Sequence, residues 1–364
     1  MTKKKILIAT GGTGGHIYPA YSLAKYLMNK NYFVEITTDN RGLKYLKDYK
    51  ELNLINVNSS SLNKKSVLKF LLSLIIIAYT TVQSFFLLIL KRPSIIFGMG
   101  GYSSFPICMA ASILRIKFII YENNLIIGKA NKYLLPFAKK IFVSYNELEG
   151  ISEKNKKKVY EIGNIIRKEI LEFNNDITKK NILNELKILV LGGSQAAKIF
   201  AEELPQTFEK LKNYKLPIKV FQQCQEEQRD QLMNFYKKAE IDCEVFNFTD
   251  QIIDYYSKVN LVITRSGASV LGELINMKIP FISIPLPSSA DNHQLKNAEF
   301  YKKKGYGFLL EEKDIKDKLF KMIKHIFEDK EIYENILLNQ SKYSNKDIFT
   351  NLSIQIENVL DEKN

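Results

Sequence analysis

Lys5-Ile6-Leu7-Ile8-Ala9-Thr10-Gly11-Gly12-Thr13-Gly14-Gly15-His16 is the stretch that decides the fold. A short β-prone apolar run passes directly into glycines, and a helical pattern follows. Glycines there let the backbone approach a ligand closely. The helix beyond turns its free N–H groups and positive dipole end toward an anion. Alone, such a turn matches the dinucleotide fingerprint only loosely, and Asp39 near the end of the second run keeps a nicotinamide site open.

Outward from this turn the pattern repeats. Apolar runs at 5–10, 33–39, 94–98, 117–122 and 140–144 alternate with helical stretches, and 187–191, 218–222, 244–248, 261–264 and 281–285 repeat the device. Strands with helical crossovers predict parallel sheets covered on both faces. The 364 residues suit two such domains, joined near 163–186, with the site between them beyond the carboxyl ends of the strands. From Asp347 to Leu360, Ile348, Leu352, Ile356 and Val359 recur at helical spacing, which predicts a terminal amphipathic helix.

Lys and Arg total 53 against 39 Asp and Glu, a formal charge of +14. Such an excess suits nucleic acid, an anionic membrane, phosphorylated substrates or plain solubility. No zinc finger or aromatic ribonucleoprotein motif favours nucleic acid. Runs such as Lys154–Lys158 and Lys302–Lys304 read as solvated faces. Cys108, Cys224 and Cys243 are odd in number and lack metal-ligand spacing, which fits a reducing compartment. The start, Met1 to Lys5, leads into too few apolar residues for a signal peptide, and a cytoplasmic chain is expected.

Phe70–Leu90 is free of charge over 21 residues, with Lys64, Lys65 and Lys69 before it and Lys91 and Arg92 after it. By length it could span a bilayer. Against a span, it leads straight into the run 94–98 of the same sheet, and Ser73, Thr80, Thr81, Gln83 and Ser84 interrupt it. It reads first as a buried crossover helix. The functional alternative is a helix with an exposed apolar face bordered by lysines, able to dock on anionic lipid.

Three more loops suit anions: Gly98-Met99-Gly100-Gly101-Tyr102-Ser103-Ser104, Gly192-Gly193-Ser194-Gln195, and Arg265-Ser266-Gly267-Ala268-Ser269. The last opens a helix whose Glu273 could accept from both hydroxyls of a ribose. Of the three histidines, His325 reads as a surface residue, while His16 and His293 lie in polar motif loops. His16, at a helix N-terminus beside a phosphate-suited loop, is favoured as a neutral imidazole fit to act as a base.

Taken in order, Gly11–His16, Gly98–Ser103, Glu122–Asn124, Gly163–Arg167, Gly192–Gln195, Arg265–Glu273 and Asp291–Ala298 resemble the MurG family of N-acetylglucosaminyltransferases from about residue 3 to past 300. Three departures stand out. Tyr121-Glu122-Asn123-Asn124 replaces the usual His-Glu-Gln-Asn, Ile165 a usual proline, and Val270 a frequent threonine.

The resemblance implies an α/β glycosyltransferase-B fold, with two Rossmann-like doubly wound parallel-sheet domains facing across a cleft. An acceptor- and membrane-facing domain would cover 1–162 and a UDP-N-acetylglucosamine domain 163–345, with the helix in 346–364 returning to the first. It implies inverting transfer of N-acetylglucosamine to the 4-hydroxyl of the muramyl sugar of lipid I, which makes lipid II for peptidoglycan.

His16 is the candidate base and Glu122 its competitor. Donor contacts map to Thr13, Gly14, Gly15, Asn124, Arg167, Ser194, Thr249, Ala268, Ser269, Glu273 and Gln294, and acceptor contacts to Gly14, Gly15, Gly100, Gly101, Tyr102 and Asn131. No catalytic metal or cofactor is expected. Beyond UDP-N-acetylglucosamine and lipid I, the implied partners are an anionic membrane at the cytoplasmic face of the inner membrane, where the protein would be peripheral, and a cell-wall synthesis complex. Three rivals stay open at this point: a diacylglycerol sugar transferase, a sugar-nucleotide epimerase and a nicotinamide-dependent oxidoreductase.

Overall fold

Every strand pairing among the described residues is parallel, as near-continuous apolar runs require. The computed structural model describes residues 3–58, 66–173, 185–193, 197–249, 251–345 and 347–362. The chain divides into two compact units, Met1–Arg167 with Lys346–Asn364, and Lys168–Asn345.

The first unit holds β1 (Lys5–Ala9), β2 (Phe33–Thr38), β3 (Asn53–Asn56), β4 (Ile95–Gly98), β5 (Phe118–Glu122), β6 (Lys140–Val143) and β7 (Val159–Glu161). They lie in the order β3-β2-β1-β4-β5-β6-β7. Its first five helices are α1 (Gly14–Asn29), α2 (Asn40–Leu46), α3 (Val67–Lys91), α4 (Ser104–Ile113) and α5 (Lys129–Leu134). The second unit holds β8 (Leu186–Leu191), β9 (Ile218–Gln223), β10 (Asp242–Phe246), β11 (Leu261–Thr264), β12 (Phe281–Ser283) and β13 (Phe308–Leu309). Their order is β10-β9-β8-β11-β12-β13. Strand order reverses beside β1 in one sheet and beside β8 in the other, which is where open α/β sheets bind ligands.

Three strands escape the sequence pattern: β3, β7 and β13 are short, and their residues are half-buried or exposed. They carry no apolar run to announce them. The units part at Arg167, five residues beyond the expected break at 162. The Ile162 N–H donates to the Val143 carbonyl and the Ile165 N–H to the Tyr121 hydroxyl, so Gly163–Arg167 stays tied to the first sheet.

In the terminal helix Ile348–Asp361, Ile348, Leu352, Ile356 and Val359 are all buried. Phe349 stacks on Tyr26 with ring centroids 4.7 Å apart, and the Lys140 Nζ donates to Gln355 Oε1 at 2.8 Å. The Lys117 Nζ donates to the carbonyls of Val359, Leu360 and Glu362, a cation at the helix's negative end. Lys158, expected on a solvated face, instead donates to the carbonyls of Leu135, Pro136 and Ala138 at 2.7–3.1 Å. Lys278 serves Gln340 and Tyr343 in the same way. Part of the cationic excess therefore terminates helices and turns. Cys108 is fully buried, and burial pushes its thiol up to about 12.

The helix α3 corrects the expectation of a buried crossover. It does connect β3 to β4 of one sheet, but its polarity is inverted. Ser73, Thr80, Ser84 and Leu88 form the buried stripe, which packs on α4. The Ser73, Thr80 and Ser84 hydroxyls donate to carbonyls four residues back, so they are buried without stranding a donor. Many of the large side chains face outward, while Leu88 is buried and Phe85 and Leu87 pack against the core. Leu68, Ile75, Tyr79, Phe86 and Leu90 are each more than 60% exposed, on a helix long and apolar enough to cross a membrane by length and composition.

Candidate active site

In the first unit the loops after β1, β4 and β5 emerge side by side, because those strands are neighbours. The loop after β1 turns at Gly12, whose φ of +88° favours glycine. The loop after β4 turns twice, at Gly100 and Gly101, with φ of +85° and +75°. The His16 ring lies against this second loop. A Cβ built on Gly100 would sit 3.1 Å from His16 Cε1, and one on Gly101 would sit 3.5 Å from Cδ2. Glycine is needed here because an imidazole occupies the side-chain space. Thr13 is exposed, His16 and Gly15 are half-buried, and Tyr102 stands out at the tip of the second loop.

Pro19 sits inside α1 and has no N–H for the Gly15 carbonyl four residues back. Asn123, from the loop after β5, donates its Nδ2 to that carbonyl at 3.3 Å. A proline placed one turn into the helix thus opens an acceptor that ties the β1 and β5 loops together.

Glu122 is buried, and both its oxygens are engaged. One accepts from the Asn124 N–H and side-chain amide, at 3.1 and 2.9 Å; the other accepts from the Gly128 N–H and Asn131 Nδ2, at 2.9 and 3.0 Å. This geometry makes Glu122 an anchor for the loop that carries Asn124, and corrects its reading as a base facing substrate. Asn131, buried and donating also to the Tyr121 carbonyl, belongs to the same anchor. Arg167 lies with its Cζ 4.9 Å from the centre of the Tyr18 ring, which places the guanidinium beside the first turns of α1.

Asp39 caps α2 and is likewise turned inward, with its carboxylate on Gly12, Gly42, Arg41 and Ser103. Burial alone would raise its pKa. The Gly42 N–H, the Arg41 guanidinium and the Gly12 N–H outweigh burial and hold it below the usual value. An acid so engaged does not offer itself to a ribose as a nicotinamide site requires.

In the second unit the loops after β8 and β11 adjoin, and the Arg265 N–H donates to the Leu191 carbonyl. Ser194 and Gln195 lie outside the described residues. Ala268 and Ser269 form the first turn of the helix Ala268–Asn276, capped by Gly267 in extended conformation. Arg265 is buried. It donates to the Ile284 and Pro285 carbonyls, pairs with Glu312 and lies over the Phe200 ring, which makes it a brace for the loop. Glu273, one turn into the helix, accepts from the buried Tyr256 hydroxyl at 3.0 Å. Asn297 ties its own helix to the loop by donating to the Ser266 carbonyl, and Gln294 Oε1 accepts from the Leu286 N–H. Thr249 is half-buried, its hydroxyl accepting from the Gln251 N–H. Tyr256 carried no signal in the residues, because a buried tyrosine at helical spacing reads as core; Tyr121 stood out as a departure from the motif, but not for the bond its hydroxyl makes.

Residues 6–143 match the glycosyltransferase family 28 N-terminal domain and residues 187–352 the family 28 C-terminal domain. Among solved structures, Acinetobacter baumannii MurG superposes with a TM-score of 0.79 at 22% identity, over 98% of this chain and 100% of that one. An S. aureus MnaA-UDP co-structure superposes with a TM-score of 0.68 at 14% identity, over 100% and 99%. Both likenesses speak for the two-domain glycosyltransferase-B fold. Two curated proteins named UDP-N-acetylglucosamine--N-acetylmuramyl-(pentapeptide) pyrophosphoryl-undecaprenol N-acetylglucosamine transferase are similar in sequence. That of Pelagibacter ubique is 36% identical over 99% of each chain, and that of Rickettsia bellii 34% identical over 93% of this chain and 95% of its own. At that identity and coverage, this chain belongs to the family of N-acetylglucosamine transferases that act on N-acetylmuramyl-(pentapeptide) pyrophosphoryl-undecaprenol.

Proposed function

We propose that this protein moves N-acetylglucosamine from UDP-N-acetylglucosamine to the 4-hydroxyl of the muramyl sugar of lipid I, with inversion, and so forms lipid II for peptidoglycan. The observation that carries the reading is 36% identity along 99% of both chains to a transferase of that name. The acceptor's pyrophosphate is assigned to the loops of the first unit, where Gly14, Gly15, Gly100 and Gly101 offer backbone N–H groups. The nucleotide is assigned to the second unit, with Ala268 and Ser269 at a helix N-terminus and Glu273 on the ribose.

His16 takes the proton from the attacking hydroxyl or orients that hydroxyl, and Arg167 supplies a cation for a diphosphate. These roles call for no metal, and turnover is expected to be unchanged by chelation with EDTA; its loss would overturn this part of the reading. Docking falls to the apolar outer face of α3, with Lys69, Lys91 and Arg92 at its ends, on the anionic cytoplasmic face of the membrane.

The test is transfer of radiolabelled N-acetylglucosamine to lipid I and to diacylglycerol, side by side, with wild type and His16→Ala. Label in lipid II alone, lost in the variant, supports the reading. Label in diacylglycerol, or undiminished turnover by His16→Ala, overturns the acceptor or the role of His16 respectively.

A further inference from the structure

We propose that Asp39 is a positioning residue for glycosyl transfer, locking the loop after β1 to the loop after β4 so that His16 and Gly100–Gly101 keep the spacing the acceptor requires. The proposal rests on the assignment of the acceptor to these two loops.

Asp39 stands at the end of β2, outside every glycine motif, yet its carboxylate reaches both loops. Oδ1 accepts from the Gly12 N–H at 3.2 Å and the Gly42 N–H at 2.9 Å. Oδ2 accepts from the Ser103 hydroxyl at 3.0 Å and from Arg41 Nε and Nη2 at 3.1 and 2.8 Å. One oxygen therefore holds the first loop and the start of α2, and the other holds the end of the second loop. The Asp39 side chain is only 6% exposed, while that of Arg41 is 57% exposed and balances the charge from the solvent side.

The loops also touch at this point. A Cβ on Gly11 would fall 2.2 Å from Ser103 Oγ and 3.2 Å from Asp39 Cγ, so bare backbone lets the serine hydroxyl turn to the carboxylate. Hydrogen bonds to an ionised acceptor are the stronger kind. Here they fix Gly12 at its positive φ and set Ser103, two residues beyond Gly101, in one frame. His16, four residues after Gly12, and Gly100–Gly101 inherit their separation from that frame.

Asp39→Asn keeps the size of the side chain and removes its charge. For transfer to lipid I, kcat is expected to fall about 10- to 100-fold, the range a small misplacement of reacting groups produces. The affinity for UDP by titration should stay within about twofold, because the nucleotide is assigned to the other unit. Ser103→Ala should lower kcat less, Ser103→Thr should restore it, and Asp39→Asn/Ser103→Ala should be no slower than Asp39→Asn, as two ends of one linkage require.

Wild-type kcat in Asp39→Asn would overturn the proposal, as would additive effects in the double variant. If Asp39→Asn does not fold, the serine pair decides: Ser103→Ala equal to wild type overturns it, and Ser103→Ala slow with Ser103→Thr restored supports it. Wild-type protein that forms no lipid II overturns the functional reading itself, which is a different result from an indifferent Asp39.

Discussion

The Ile165 N–H donates to the hydroxyl of Tyr121 at 2.9 Å, inside the first unit and away from solvent. The same hydroxyl lies 3.2 Å from Ser144 Oγ. Tyr121 and Ile165 are two of the four positions at which the motifs depart from the family pattern, and here they meet. A proline at 165 would bring no N–H, and the tyrosine supplies an acceptor for the one that isoleucine introduces. The pair anchors the segment that leads to Arg167.

Tyr121→Phe should therefore strand the Ile165 N–H and destabilise the protein by about 1–3 kcal/mol. In an Ile165→Pro background there is no N–H to strand, and the penalty of Tyr121→Phe should shrink. Urea unfolding of the four proteins measures the difference, and equal penalties in both backgrounds would refute the coupling.

Gly100→Ala combines a backbone at positive φ with a methyl 3.1 Å from the His16 ring. The conformation alone costs about 1–2 kcal/mol. The expected outcome is a modest drop in thermal midpoint with a disproportionate loss of transfer, since the displaced group is the imidazole. Parallel calorimetry and turnover assays check it.

The lowered pKa of Asp39 has a defined pH signature. A carboxyl held below its ordinary value in the folded state stabilises the fold fully above the unfolded value of 3.8, and that contribution disappears as pH falls through the lower folded value. Wild type should lose stability relative to Asp39→Asn as pH drops below about 4, and the gap between them should be constant near neutrality. Denaturation midpoints from pH 7 to pH 3 report it.

On α3, Ile75 and Phe86 are 64% and 61% exposed. Replacing both by serine should change folding stability by no more than about 0.5 kcal/mol each. Each apolar side chain buried in lipid contributes about 1.5–3 kcal/mol, so sedimentation with anionic vesicles should fall more than about tenfold. Undiminished sedimentation would remove α3 from the docking surface.

Much of this was legible in the residues. Apolar runs marked ten of the strands, and the glycines after four of them marked the anion-suited loops, because a buried parallel strand and a close backbone approach each leave a compositional trace. What stayed hidden depends on partners distant in sequence. Glu122 reads as a candidate base until Gly128 and Asn131 close around it. Asn123 gains its role only from Pro19, more than a hundred residues earlier. For α3, the content of the helix was plain, but which face turns inward was set by α4, and small hydroxyl side chains allow the closer approach.

The Lys117 clasp on Val359, Leu360 and Glu362 has a consequence for biosynthesis. The helix that completes the first unit is translated only after all of Lys168–Asn345. At about 5–20 residues per second, the nascent first sheet waits roughly ten to forty seconds for its last piece. Through that interval Tyr26, Lys117 and Lys140 present an unfilled seat, so a ribosome stalled before residue 347 would display a client surface for chaperones that the finished protein conceals.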